Sequence, residues 1–140
     1  MRKFGLALLA CLLAAPAHAY RIIDDDGGRI KEYLETYERV GYSGDKVEIA
    51  GNCLSACTLV LAFVPPERIC VTKRAVLGFH AAWRPGNRGK PEYSAEGTQL
   101  LLDKYPAAIN QLINERGGLK AKMFFVHGPT LRSMFQLCRK

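Results

Sequence analysis

Hydrophobic and polar positions fall along this chain in short blocks whose period changes from one block to the next. "RII" (Arg21–Ile23) is β-like and runs into the polar "DDDGG" of Asp24–Gly28. Ile30, Tyr33, Leu34, Tyr37 and Val40 then recur at helical spacing with charges between them, which predicts an amphipathic helix. Asp26 reads as its N-cap and Gly41 as its stop. In "KVEIAG", Val47 and Ile49 alternate with polar neighbours as in a strand. "GNCLSACTLVLAF" (Gly51–Phe63) is a small-residue turn entering an apolar, helix-like run that Pro65 and Pro66 end. "RICV" and "AVLGFH" read as two short strands joined by the turn Thr72-Lys73-Arg74. "AWRPGNRGKPEYS", rich in glycine, proline and charge, reads as a loop. A helical stretch opens near Ser94, is kinked or split at Pro106 and stops at Gly117-Gly118. "AKMFFVHGPTLRSMFQLC" supplies a strand, a Gly-Pro turn and a last short helix. Strand–helix alternation without repeats or linkers predicts one α/β domain.

The first residues belong to a different pattern. Arg2 and Lys3 precede an apolar run from Phe4 to Ala15 and the small-x-small ending Ala17-His18-Ala19. That is the layout of a secretory signal peptide, too short in its apolar part to anchor the chain. Residues 1–19 are therefore expected to be removed, leaving 20–140 as a periplasmic or secreted domain with no stable membrane anchor. The formal net charge of +7 includes Arg2 and Lys3, and the remaining Lys and Arg are scattered among acids. No dense basic stripe is present, so no nucleic-acid partner is expected. Outside the signal segment the cysteines are Cys53, Cys57, Cys70 and Cys138. An even number in an oxidising compartment points to disulfides, with three pairings possible. Zinc held by Cys53, Cys57 and His127 is an alternative without a second close ligand couple, so no metal or other cofactor is expected.

Ser55 supplies the candidate chemistry. A strand ends at Ala50, Gly51-Asn52 turn, and a helix begins near Ser55, beside free backbone N–H groups that can hold an oxyanion. A serine there can equally be only a cap. A serine nucleophile needs a base, and two histidines follow: His80, at the end of an apolar strand where α/β sheets bind ligands, and His127, in the turn "VHGP". In isolation the plainer reading of each histidine is structural, whereas Trp83 and Arg84 read equally as a packing lid or as the edge of a ligand site. Asp24, Asp25 and Asp26 read as dipole and cap partners, with metal binding as the rival.

Together, "GNCLSACTLVLAF…RICVTKRAVLGFH" resembles the core of the ClpP/crotonase superfamily, particularly the Clp protease proteolytic subunit and its exported relatives, from Ile22 to His80. In that family the nucleophile sits in a Gly-x-x-x-Ser-small turn opening a helix, and the base ends a hydrophobic–hydrophobic–His strand. "DDDGG" resembles the family's glycine loop before a helix. The resemblance implies a ClpP/crotonase-like fold with a small mixed sheet and packed helices, in minimal form. It implies a serine peptidase with Ser55 as nucleophile, His80 as base, and Gly27 or Gly28 with Ala56 as oxyanion donors. A peptide or protein is the implied substrate, and self-association into a homo-oligomer is implied too. The family's third member is an aspartate in the region matching about 118–131, where this chain has no Asp or Glu. Asp103 and Glu115 are the nearest acids, Asn110 and Asn114 the neutral orienters, and Lys73, Lys120 and Lys122 the candidates for a Ser-Lys pair. A catalytically inactive protein of the same fold that binds a peptide or protein partner is the alternative. Thiol redox chemistry at Cys53 and Cys57 lacks the C-x-x-C spacing. For the disulfides, one turn cysteine is expected to reach Cys70 and the other Cys138, each bridge stabilising by about 2–4 kcal/mol.

Overall fold

Asp25, Gly27 and Tyr33 show how the polar block after the first strand becomes structure. A computed structural model of the protein describes residues 18–139; the expected signal segment lies outside them except for His18 and Ala19. Strand β1 (Ala19–Ile22) leads into this block. The Asp25 carboxylate accepts from the Gly27 N–H at 2.8 Å and from the Tyr33 hydroxyl at 2.6 Å. Gly27, at φ 87°, holds the chain out of helical geometry. Helix α1 (Ile30–Ser43) consequently begins after Arg29, not at Asp26. It ends at Gly44 in the left-handed conformation, not at Gly41. Gly41 lies inside the helix for a packing reason: a Cβ there would stand 2.7 Å from the Phe63 carbonyl oxygen.

Strands β2 (Lys46–Ile49) and β3 (Asn52–Leu54) follow. The chain then makes a 3₁₀ turn over Ser55–Leu59 before helix α2 (Val60–Phe63). The helix expected at Ser55 is thus a tight turn followed by a single α-turn. Strands β4 (Ile69–Val71) and β5 (Val76–Phe79) come next. They do not pair with each other: β4 lies beside β2 and β5 beside β3, each parallel. The chain crosses between the two sheets at Ala50-Gly51 and again at Thr72–Ala75. The Thr72 hydroxyl donates to the Ala50 carbonyl at 2.8 Å and ties the crossings together.

The segment expected as a loop contains a hairpin, β6 (Trp83–Pro85) with β7 (Pro91–Tyr93). Three-residue strands carrying a proline each give too little alternation to read from sequence. Helices α3 (Ala95–Lys104) and α4 (Ala107–Glu115) flank Pro106, and Ser94 caps α3 by accepting from the Gly97 N–H at 3.1 Å. Strand β8 (Phe124–His127) pairs antiparallel with β5. The expected Gly-Pro turn is the first turn of helix α5 (Gly128–Met134), and β9 (Gln136–Leu137) joins β4.

The result is a mixed α/β domain with two main sheets, ordered β1-β2-β4-β9, all parallel, and β3-β5-β8, with the hairpin apart. Val47, Ile49, Ile69 and Val71 of the first sheet and Leu77, Phe79 and Val126 of the second are buried in one core with Tyr37, Leu59 and Ile113. No helix among the described residues is long and apolar enough to cross a membrane.

The disulfides correct the expected pairing. Cys53 bonds Cys57, and Cys70 bonds Cys138. Cys53 is on β3 and Cys57 in the 3₁₀ turn, so the reversal at Ser55 brings their Cα atoms to 5.2 Å, which a helical i, i+4 pair would make difficult. Cys70 lies on β4 and Cys138 directly follows the neighbouring strand β9, which brings their Cα atoms to 4.8 Å. With Cys53, Cys57, Cys70 and Cys138 all bridged, no thiolate among the described residues is left to pair with His127, which ends β8 on the surface.

Candidate functional site

Neighbouring parallel strands place the two side chains singled out above. β3 and β5 are in register at Leu54 and Gly78, so both end on the same edge of their sheet. Ser55 is the first residue beyond β3 and His80 the first beyond β5. Their side chains meet there, with Ser55 Oγ 2.7 Å from His80 Nε2. Ser55 itself sits at φ 56°, a left-handed conformation rare for a residue with a side chain. This sharp reversal lifts the hydroxyl out of the strand direction and opens the 3₁₀ turn behind it.

The imidazole is oriented from its other side. His80 Nδ1 lies 2.7 Å from the Ala81 carbonyl oxygen. A carbonyl can only accept, so in the neutral ring the proton resides on Nδ1 and Nε2 is left as an acceptor facing the serine hydroxyl. Ala81 and Ala82 are pinned in turn. The Ala81 N–H donates to the Lys120 carbonyl at 2.8 Å, and the Ala82 N–H to the hydroxyl of buried Thr98 at 3.0 Å. None of the acids or amides considered as orienters reaches His80. Asp103 accepts from Gln99 and Glu115 from Gln111, while Asn110 donates to the Leu102 and Tyr105 carbonyls. Asn114, Lys73, Lys120 and Lys122 are exposed and line no part of the cleft.

The two glycines divide their roles. The Gly27 N–H is taken by Asp25, and the residue packs so closely that a Cβ would come within 2.6 Å of the Leu54 carbonyl oxygen and of Ser55 Cβ. The loop is held against β3 by Asp25 N–H to Asn52 O and by Leu54 N–H to Asp25 O, each 2.8 Å. Asp24 Oδ1 also accepts from the Asn52 N–H at 3.0 Å. Two of the three aspartates therefore fasten the glycine loop to the strand that ends in Ser55. Gly28 lines the cleft, and no acceptor for its N–H is found among the described residues. Ala56 lines it as well, in the first turn of the 3₁₀ segment, where amides have no intrahelical acceptor.

Behind the serine, the Thr58 hydroxyl donates to the Ser55 carbonyl at 2.6 Å. Its only proton is thereby used, so the Tyr105 hydroxyl, 2.6 Å away, is the donor of their mutual bond. Burial pushes the Tyr105 phenol up to about 12. The cleft in front has a volume of about 570 Å³. Ile30, Ala82, Pro85 and Leu101 form its apolar walls, Trp83 its rim, and Asp26 and Arg29 its charges.

Comparison with protein-family models, with curated proteins and with solved structures returns no match. The site is therefore read from its own geometry. That geometry includes contributors sequence reasoning missed: the Ala81 carbonyl, Thr98 and the Thr58–Tyr105 pair. A backbone carbonyl has no sequence signature. A threonine sixteen residues from the alanine it holds has none either, because the contact exists only once the hairpin has folded back.

Proposed function

We propose that this protein is an exported serine hydrolase of ClpP/crotonase type, acting on peptides. The observation that carries the reading is the 2.7 Å contact between Ser55 Oγ and the unprotonated ring nitrogen of His80. In the reaction His80 Nε2 takes the Ser55 proton as Oγ attacks the carbonyl carbon of the substrate. The N–H groups of Gly28 and Ala56 receive the charge that develops on the carbonyl oxygen. Nε2 then returns the proton to the departing nitrogen, and water releases the acyl group by the reverse route. The Ala81 carbonyl does the part of a third triad member that fixes ring orientation and tautomer. Being neutral, it lacks the negative charge that stabilises an imidazolium, so turnover should be slow compared with an acid-backed site. Two disulfides among the described residues fit an oxidising, extracytoplasmic compartment.

The neutral partner at Nδ1 also favours a second reading, a binding protein of the same fold in which Ser55 only shapes the turn. A fluorophosphonate probe separates the two. Stoichiometric labelling of the oxidised protein, absent in Ser55→Ala and slowed at least 100-fold in His80→Gln, is expected of the hydrolase. Absence of any adduct at Ser55 in the oxidised, folded protein leaves the binding reading.

A further inference from the structure

A second cleft, of about 410 Å³, adjoins the first at Trp83. It shares His80, Ala82 and Trp83 with the first but is not lined by Ser55, Ala56 or either glycine. Its walls come from the hairpin and the α4–β8 connection: Tyr93, Pro91, Gly89 and Ala121. Trp83 and Tyr93 stand directly opposite each other in the β6–β7 register, and both are more than half exposed. They present an aromatic surface that nothing in the described chain covers. Glu92 accepts from the Asn87 N–H at 3.3 Å and stands opposite Arg84, one place on from the Trp83–Tyr93 pair, so its carboxylate belongs to the other face of the ribbon.

We infer that this second cleft is the leaving-group subsite, and that it takes the amine-side residue of a scissile peptide bond when that residue is aromatic or bulky and apolar. The inference rests on the hydrolase reading above. In acylation the Oγ–C bond forms, the C–N bond breaks, and the proton taken from Oγ passes from Nε2 to the leaving nitrogen. The acyl part must therefore lie where Ser55 and the free amides are, in the first cleft. The leaving nitrogen must lie against the imidazole, which is the only member of the reacting set that the second cleft touches. The product released there is a free amine facing the imidazole, a position that an N-acetyl group would block. The facing rings of Trp83 and Tyr93 suit a planar side chain.

Trp83 is the one tryptophan in the sequence, so its fluorescence reports on this cleft directly. The test uses the oxidised Ser55→Ala protein, which needs no turnover, titrated with phenylalaninamide, alaninamide and N-acetylphenylalanine at a pH where the amines are protonated. A saturable change with phenylalaninamide is expected, at a dissociation constant about tenfold or more below that for alaninamide. N-Acetylphenylalanine should bind more weakly than phenylalaninamide, and Tyr93→Ala should weaken phenylalaninamide. No saturable change, equal affinity for the three compounds, or indifference to Tyr93→Ala overturns the assignment. Because binding is read without chemistry, a failure here is distinct from a failure of Ser55 to label, which strikes the hydrolase reading instead.

Discussion

Ser55 carries its strain in the backbone. A non-glycine residue at φ 56° costs on the order of 1 kcal/mol relative to glycine, and the close packing of Gly27, the Asp25 bonds and the Cys53–Cys57 bridge hold it there. Replacing Ser55 by Ala removes the hydroxyl and keeps the strain; replacing it by Gly removes both. Ser55→Gly should accordingly be more stable than Ser55→Ala by about 1 kcal/mol in urea unfolding, with neither labelled by a fluorophosphonate. Equal stabilities would mean that the left-handed geometry stores nothing. Tyr105 makes a second prediction, in alkali. Its phenol is raised to about 12 by burial, and burial raises Tyr33 and Tyr37 as well. A raised folded-state value means stability that is complete below the unfolded value near 10 and is lost as pH climbs towards 12, because only the unfolded chain ionises. The loss assignable to Tyr105 is about 2–3 kcal/mol. Chemical unfolding between pH 9 and 12 should therefore show a shallower decline for Tyr105→Phe than for the parent.

The two disulfides act on different elements and should separate experimentally. Cys70–Cys138 closes a long loop, sequence separation 68, and fastens β9 to the edge of the parallel sheet; chain entropy assigns it about 4 kcal/mol. Cys53–Cys57 spans a separation of only 4 and is worth about 2 kcal/mol on the same basis, but it brackets Ser55. Cys70→Ala/Cys138→Ala should thus lower the unfolding midpoint more, while Cys53→Ala/Cys57→Ala should slow fluorophosphonate labelling more. The opposite ranking would disconnect the turn bridge from the geometry of Ser55. How far such elements could be read from sequence depends on whether their signal is local. Helix α1 was legible because five apolar side chains share one face, β2 because Val47 and Ile49 alternate, and the α3–α4 break because proline admits little else. The hairpin was not, with three residues per strand and a proline in each. Nor was the assignment of β4 and β5 to separate sheets, since that depends on parallel partners earlier in the chain. The disulfide pairing likewise depended on a reversal at Ser55 and on a strand, β9, of only two residues. Ser55 and His80 could be picked out by residue type and spacing; the carbonyl that orients the ring could not.

At the scale of the whole molecule, most strands are locked into ladders that bring distant segments together, and the buried side chains of both main sheets share one core. The β6–β7 ribbon stands apart. It pairs only with itself, all six of its strand residues are exposed, and at its base Ala82 accepts from the Ser94 N–H and donates to Thr98. A lone two-stranded ribbon is marginally stable in water. Amide deuterium exchange of the native protein should therefore find the ribbon amides, Gly86 among them, opening well before those of β5, which is buried between β3 and β8. Trp83 belongs to the ribbon and His80 stands three residues before it, so Ala81 and Ala82 join a ribbon that pairs only with itself to the central strand of its neighbouring sheet. Any breathing of the ribbon would reach the imidazole through those two residues, and the fraction of molecules holding a correctly assembled site would then be set by a local opening equilibrium and not by global unfolding.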